Sequence, residues 1–352
     1  YFSMQNGAIR RKNLITEKSK SIKPILPDYI NDTLKYNFIT PYFISYHNSN
    51  SLYHAGNYIF KSENKGDNWK VVSHNLTKSK KYPQKKSKAA GAIAESKIQK
   101  GLLYVGTDKG IFWSSKDDGK TWKENSDNIS DGYIRGIHPS LYKKSRVYMS
   151  MTGINYDDLN NYMYVSENYG EEWKRLKGNL PNEPVNLIIE DHKFENILYA
   201  GMYRGVYISL DKGSSWNLIG NDFPMSSVSD IEIDKETNDM IVASHGRGIY
   251  KINLNPIHNY FINRNILEDD KILNTEKFIL PKFNDTHREP IMNTYEKVPI
   301  SFYLNKEKKY SLIIKDSNNI LWEFEGIGKK GLNQFRWEIG RASCRERVST
   351  SV

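Results

Sequence analysis

Four short stretches constrain this chain more than anything else in it. They are Ser62-Glu-Asn64-Lys-Gly66-Asp-Asn68-Trp69, Ser115-Lys-Asp117-Asp-Gly119-Lys-Thr121-Trp122, Ser166-Glu-Asn168-Tyr-Gly170-Glu-Glu172-Trp173 and Ser209-Leu-Asp211-Lys-Gly213-Ser-Ser215-Trp216. All read Ser-x-(Asp/Asn)-x-Gly-x-x-Trp, and their glycines stand at 66, 119, 170 and 213. A spacing of roughly fifty residues is that of a stacked supersecondary unit. The chemistry is that of a folded-back hairpin: Ser and Asp/Asn side chains bond nearby backbone groups, Gly supplies a positive φ, and Trp offers a large face to bury. A calcium loop also uses carboxylates around a Gly, but Asn64 and Asn168 replace the acid and no terminal bidentate Glu recurs. No metal site is therefore expected there.

Around each motif the same order of short apolar runs returns. The first unit reads Tyr42–Ser45, Leu52–Ala55, Tyr58–Lys61 and Trp69–Val72, and the next ones place Ala92–Ala94, Ile134–Ile137 and Leu187–Ile189 at their starts. A fifth unit (Ile231–Ile233, Met240–Ala243, Gly248–Lys251) stops before any Trp motif. Radially repeated four-stranded units make a β-propeller, so residues 1–256 are expected to form an all-β, partial propeller. Five units and a leading hairpin predict an incomplete ring. A polar linker is expected over 257–294.

The motif resembles the Asp-box, or BNR repeat, of sialidases, sortilins and xyloglucan-cleaving enzymes. The second and fourth copies match it fully, whereas Asn68 and Glu172 replace the hydroxyl in the first and third, whose caps should be weaker. More broadly, Tyr46-His47 with Leu52-Tyr53, Gly106-Thr-Asp108-Lys-Gly110, Asp157-Asp158 with Tyr162 and Tyr164, Pro184-Val185-Asn186 and Ser244-His-Gly-Arg-Gly-Ile249 resemble exported bacterial proteins with a sortilin-type propeller, often labelled glycosyl-hydrolase-like. That resemblance implies an extracytoplasmic module (secreted, periplasmic or at the cell surface) but no settled chemistry. Residues 295–337, ending in Gly331-Leu-Asn-Gln-Phe-Arg-Trp337, resemble the opening of the immunoglobulin-like sandwich that closes many exported bacterial proteins.

The formal charge of +10 comes mostly from scattered lysines. The exception is the dense loop Lys78-Ser-Lys80-Lys81-Tyr-Pro-Gln-Lys85-Lys86-Ser-Lys88, read here as a solvated surface loop, so nucleic acid is not an expected partner. No apolar run is long enough for a membrane span. Glu338-Ile-Gly-Arg-Ala-Ser-Cys-Arg-Glu-Arg-Val348 back-translates to the start of a common sequencing adapter, so residues 338–352, with the single Cys344, are expected to be read-through. The start at Tyr1 inside a strand-like run predicts that upstream sequence, including any secretion signal, is missing.

In a propeller the motif joins third and fourth strands, which places ligands on the opposite face. The expected ligand contacts there are Arg135, Arg204, His245 and Arg247, because a guanidinium at a channel mouth grips a carboxylate bidentately. Asp108, Asp157 and Asp158 are the carboxylates available for glycoside hydrolysis, which needs two of them about 5–9 Å apart. The sialidase Arg-Ile-Pro signature is absent, as are His-Glu-x-x-His, a cysteine pair, a nucleophile elbow and a phosphate loop, so no cofactor is expected. The expected function is non-catalytic recognition of a peptide or glycan at the channel face; the alternative is a glycoside hydrolase working through paired carboxylates.

Overall fold

The computed structural model describes residues 1–219, 223–263, 269–273, 298–316 and 319–337. Residues 338–352 and, of the expected linker, residues 264–268 and 274–294 lie outside them. Two compact units are present, one of residues 1–235 with 241–251, the other of residues 236–240 with 252 onward. Among the described residues no helix is long and apolar enough to cross a membrane.

The first unit is a β-propeller of antiparallel sheets following one another in chain order. Four sheets have four strands each: Tyr42–Ile44 to Lys70–Val71, Ala90–Glu95 to Lys123–Glu124, Tyr133–Pro139 to Lys174–Arg175, and Val185–Glu190 to Asn217–Ile219. Within each the strands pair in sequence order, because short turns leave each strand only its predecessor as partner. Val228–Asp234, Asp239–Ser244 and Ile249–Asn253 make a three-stranded sheet, as do Phe2–Ser3, Ile9–Lys12 and Ser19–Ser21. The amino-terminal segment is thus three strands rather than a hairpin.

The core is divided into slabs between consecutive sheets. Ile9 and Ile22 pack with Leu52 and Trp69; Tyr53 and Ile59 with Val105 and Trp113; Tyr104 and Phe112 with Ile134 and Met149; Tyr148 and Met163 with Leu198 and Trp216. Each four-stranded sheet is covered on both faces, which is why the second strands, Leu52–Ala55, Leu103–Thr107, Val147–Gly153 and Leu198–Met202, are buried along their whole length. Innermost strands approach closely. A Cβ on Gly91 would stand 2.5 Å from the Ile134 carbonyl and 2.6 Å from the Tyr133 ring.

The repeated turns are built alike. Serine Oγ accepts the glycine N–H at 2.7–2.9 Å and donates to the Asp/Asn side chain, whose Oδ1 accepts the N–H four residues on. Lys65-Gly66, Asp118-Gly119, Tyr169-Gly170 and Lys212-Gly213 all have positive φ. Thr121 and Ser215 add a hydroxyl bond of 2.6 Å to the acid in the second and fourth copies, which Asn68 and Glu172 cannot supply in the first and third.

In the second unit, Asn255–Asn263 is an α-helix where the sequence reading has a connector. Pro256 sits in its first turn, where the missing N–H costs nothing. Val298–Leu304 pairs with Gly331–Trp337, and Lys308–Asp316 with Asn319–Gly328. Rings of Phe302, Tyr310, Trp322, Phe324 and Phe335 join the two pairs at 4.5–6.2 Å.

Candidate functional site

The innermost strands enclose a cavity of about 570 Å³. Its walls come from all of them: Phe43 and Tyr46, Ala94 and Lys97, Arg135 and His138, Leu187 and Ile189, Asp230 and Glu232. Three of these strands carry a β-bulge at the same place, at Gly91, Arg135 and Asn186. A bulge re-aims the side chain of its extra residue. Arg135 therefore reaches the cavity, with its guanidinium 5.8 Å from the Tyr133 ring centre, while Asn186 is spent on Ser227 Oγ and the Val228 carbonyl at 2.9 and 2.7 Å.

The two ends of the cavity are distinguished by the turns. The N–H groups of Lys65, Asp118, Tyr169 and Lys212 all donate to the loop after the innermost strand of their own sheet, at the Asn50, Gly101, Ser145 and Asn196 carbonyls. At that end Ser45 Oγ donates to Glu95 and Ser140 Oγ to Glu190, tying the first sheet to the second and the third to the fourth. Burial raises the Glu190 carboxyl despite the Leu141 N–H and Ser140 hydroxyl bonds to it. Both acids are structural ties rather than ligand groups.

The residues singled out in the sequence fall in different places. Arg135 and His245 line the cavity. Arg204 is paired at 3.2 Å with the buried Glu183, whose carboxyl is raised by burial and pulled back by that guanidinium. Arg247 is exposed at the turn after Ser244 and is not among the lining residues. None of the three aspartates lines the cavity either. Asp108 accepts the Lys88 N–H at 2.9 Å. Asp157 caps a single 3₁₀ turn with φ 58°. Asp158 accepts the Tyr162 hydroxyl at 2.6 Å and the Asn160 N–H at 3.0 Å, and those bonds hold it below the usual carboxylate range. Lys109 over the Tyr156 ring, at 4.3 Å, brings the Asp108 turn beside the segment carrying Asp157.

Sequence reasoning did not single out Lys97, Asp230, Glu232 or Lys235, which line the cavity, and met Tyr46 only within the resemblance, not as a ligand contact. The signal for them lay in aligning the innermost strands with each other rather than in any motif. Tyr46 sits in the cavity with about half its surface open; its withdrawal from bulk water, then the carboxylates of Glu232, Asp230 and Glu95, push its phenol up to about 12. His138 is driven down to about 3, first by burial and then by Lys97, and its Nε2 is shut off from solvent without a hydrogen-bond partner.

No protein-family model matches the chain, and no curated protein matches it in sequence. In structure it is similar to YCF48 from Cyanidioschyzon merolae, at TM-score 0.50 and 11% identity over 70% of this chain and 74% of that one. It is also similar to a GH74 enzyme of Niastella koreensis (TM-score 0.47, 16% identity, 60% of this chain) and to the GH74 xyloglucanase from Xanthomonas campestris (0.46, 13%, 59%). The chain spans 35% of the length of each GH74 structure, about a third. At such identities the likeness speaks for the propeller fold alone.

Proposed function

We propose that the propeller is a non-catalytic recognition module of a larger exported or surface protein, taking a peptide or glycan into its channel. The observation that supports this is the cavity itself: it is concave, lined by apolar and polar groups together, and holds Lys97, Arg135, Asp230, Glu232 and Lys235, which form no ion pair among the described residues. The immunoglobulin-like character expected of residues 295–337 and the export of the chain belong to the same reading.

Hydrolysis is disfavoured by the state of the candidate carboxylates. A glycosidase needs one raised and one ionised carboxyl facing a shared bond. Asp158 is instead saturated by its neighbours and held low, and Asp157 stands on an exposed left-handed turn. The test is capture of peptide and glycan panels by the full chain, with turnover measured in parallel. Arg135→Ala and His245→Ala are expected to lower capture at least tenfold, and the panel is expected to survive uncleaved. Cleavage by the wild type that disappears in an Asp108→Asn, Asp157→Asn, Asp158→Asn triple variant would overturn the proposal in favour of the hydrolase.

A further inference from the structure

The repeat provides its own control for what the channel needs structurally. In the ladders Phe43 lies opposite Tyr53, Ala94 opposite Tyr104, His138 opposite Tyr148 and Ile189 opposite Tyr199, so these four share one level of the channel wall. One step along, Ala92, Gly136 and Leu187 share another, opposite Gly106, Ser150 and Gly201. Val185-Asn-Leu-Ile188 aligns with Val228-Ser-Asp-Ile231, the valines and isoleucines being buried in both. Asp230 therefore falls at the level of Leu187 and Glu232 at that of Ile189. Where the other strands place apolar or neutral residues, this strand exposes two carboxylates to the cavity.

Nothing in the propeller's packing uses them. Among the described residues Asp230 accepts only the N–H of Ile231, at 2.9 Å, and the Glu232 carboxylate accepts no hydrogen bond. Around them stand groups suited to a cation. Tyr46 lines the same cavity as both carboxylates, and the Lys97 ammonium already lies 4.5 Å from its ring centre. The solvent-shielded, unpartnered Nε2 of His138 lines the same cavity at the level of Glu232.

Resting on the recognition reading, we propose that the channel receives the lysine or arginine side chain of a peptide, seated between Tyr46 and the Asp230 and Glu232 carboxylates. Lys97 is the internal cation that the ligand displaces. The remaining wall favours a peptide over a glycan: Phe43, Ile137, Ile189 and Ile231 suit neighbouring aliphatic side chains but leave sugar hydroxyls without partners.

The test uses the full chain and two pools of capped, fluorescent pentapeptides, neutral and randomised except for a central lysine in one and norleucine in the other. By anisotropy, the lysine pool should bind at least tenfold more tightly. Asp230→Asn with Glu232→Gln should bring it down to the norleucine pool, Glu232→Gln alone should remove much of the preference, and Lys97→Met should raise lysine-pool affinity severalfold. Equal, measurable binding of both pools overturns this proposal while leaving recognition intact, as does a lysine preference that survives the double variant. Binding of chitosan oligomers without either peptide pool replaces the peptide by an amino sugar and so overturns it too. Failure of every peptide and glycan to bind removes recognition as well.

Discussion

Thr121 and Ser215 show how much one hydroxyl changes in a repeated turn. Each gives its acid a second, 2.6 Å bond that the asparagine copies lack. In the second copy the Thr121 hydroxyl, then the Thr121 N–H, hold the Asp117 carboxyl below its ordinary range. A carboxyl with a folded pKa below its unfolded value, near 4, stabilises the fold above that value and loses the effect as pH falls through the folded one. Asp117→Asn, which gives the second copy the asparagine of the first while keeping Thr121, should therefore destabilise by roughly 0.5–1 kcal/mol at pH 7 after allowance for solvent screening. By urea titration at pH 7, 4 and 3, that difference should shrink steadily toward acid. A gap that stays constant with pH would mean that the charge contributes nothing.

The tryptophans act between elements. Trp69 Nε1 donates to the Ile22 carbonyl at 2.8 Å, Trp122 to Val72 at 2.8 Å and Trp173 to Asn125 at 3.3 Å, in each case just past the last strand of the preceding sheet. The same relation identifies Ser19–Ser21 as an outermost strand. Trp216 departs from it: its indole bonds the Gly213 carbonyl of its own turn at 3.1 Å, and Asn179 grips its backbone N–H and carbonyl at 2.6 and 3.0 Å. Trp122→Phe should consequently cost about 1–2 kcal/mol, by leaving a carbonyl of the neighbouring sheet without its donor, and Trp216→Phe about half as much. Equal losses in melting experiments would show that ring volume, not the bond between sheets, is what matters. Strand order and turns were legible in the sequence because they follow from local signals, period-two alternation and Ser-x-Asp/Asn-x-Gly spacing. The cavity was not, because its lining is set by bulges and by side chains meeting across sheets. Arg135, at the start of an innermost strand, and Arg204, in a turn, stood equal as ligand candidates in the sequence; only the bulge at the first and the Glu183 pair at the second separate them. The helix at 255–263 was missed because a nine-residue segment with only Pro256, Ile257 and His258 buried has a weak period.

At the scale of the whole molecule, a formal charge of +10 overstates what a polyanion would meet. Within the basic loop Lys78 pairs with Asp32 at 3.1 Å, Lys81 with Asp127, and Lys85 with Asp131 at 3.0 Å, Lys85 being almost wholly buried. Asp127 also takes the Tyr82 hydroxyl, so one carboxylate fixes two successive residues of the loop. The loop is thus bound to acids from elsewhere in the propeller, and half of its six lysines are committed before any phosphate arrives. Removing the acids should therefore create a nucleic-acid affinity that the native chain holds in check. Each additional lysine free to neutralise a phosphate adds about 0.9 to the slope of log affinity against log salt. Asp127→Asn with Asp131→Asn should steepen the slope on duplex DNA by about 1, the share of the exposed Lys81, since buried Lys85 keeps its bond to the Gly110 carbonyl, while neutralising Lys80 and Lys86, unpaired among the described residues, should flatten it in the wild type. A double variant with an unchanged slope would show that these surface pairs, individually weak in water, do not restrain the loop at all.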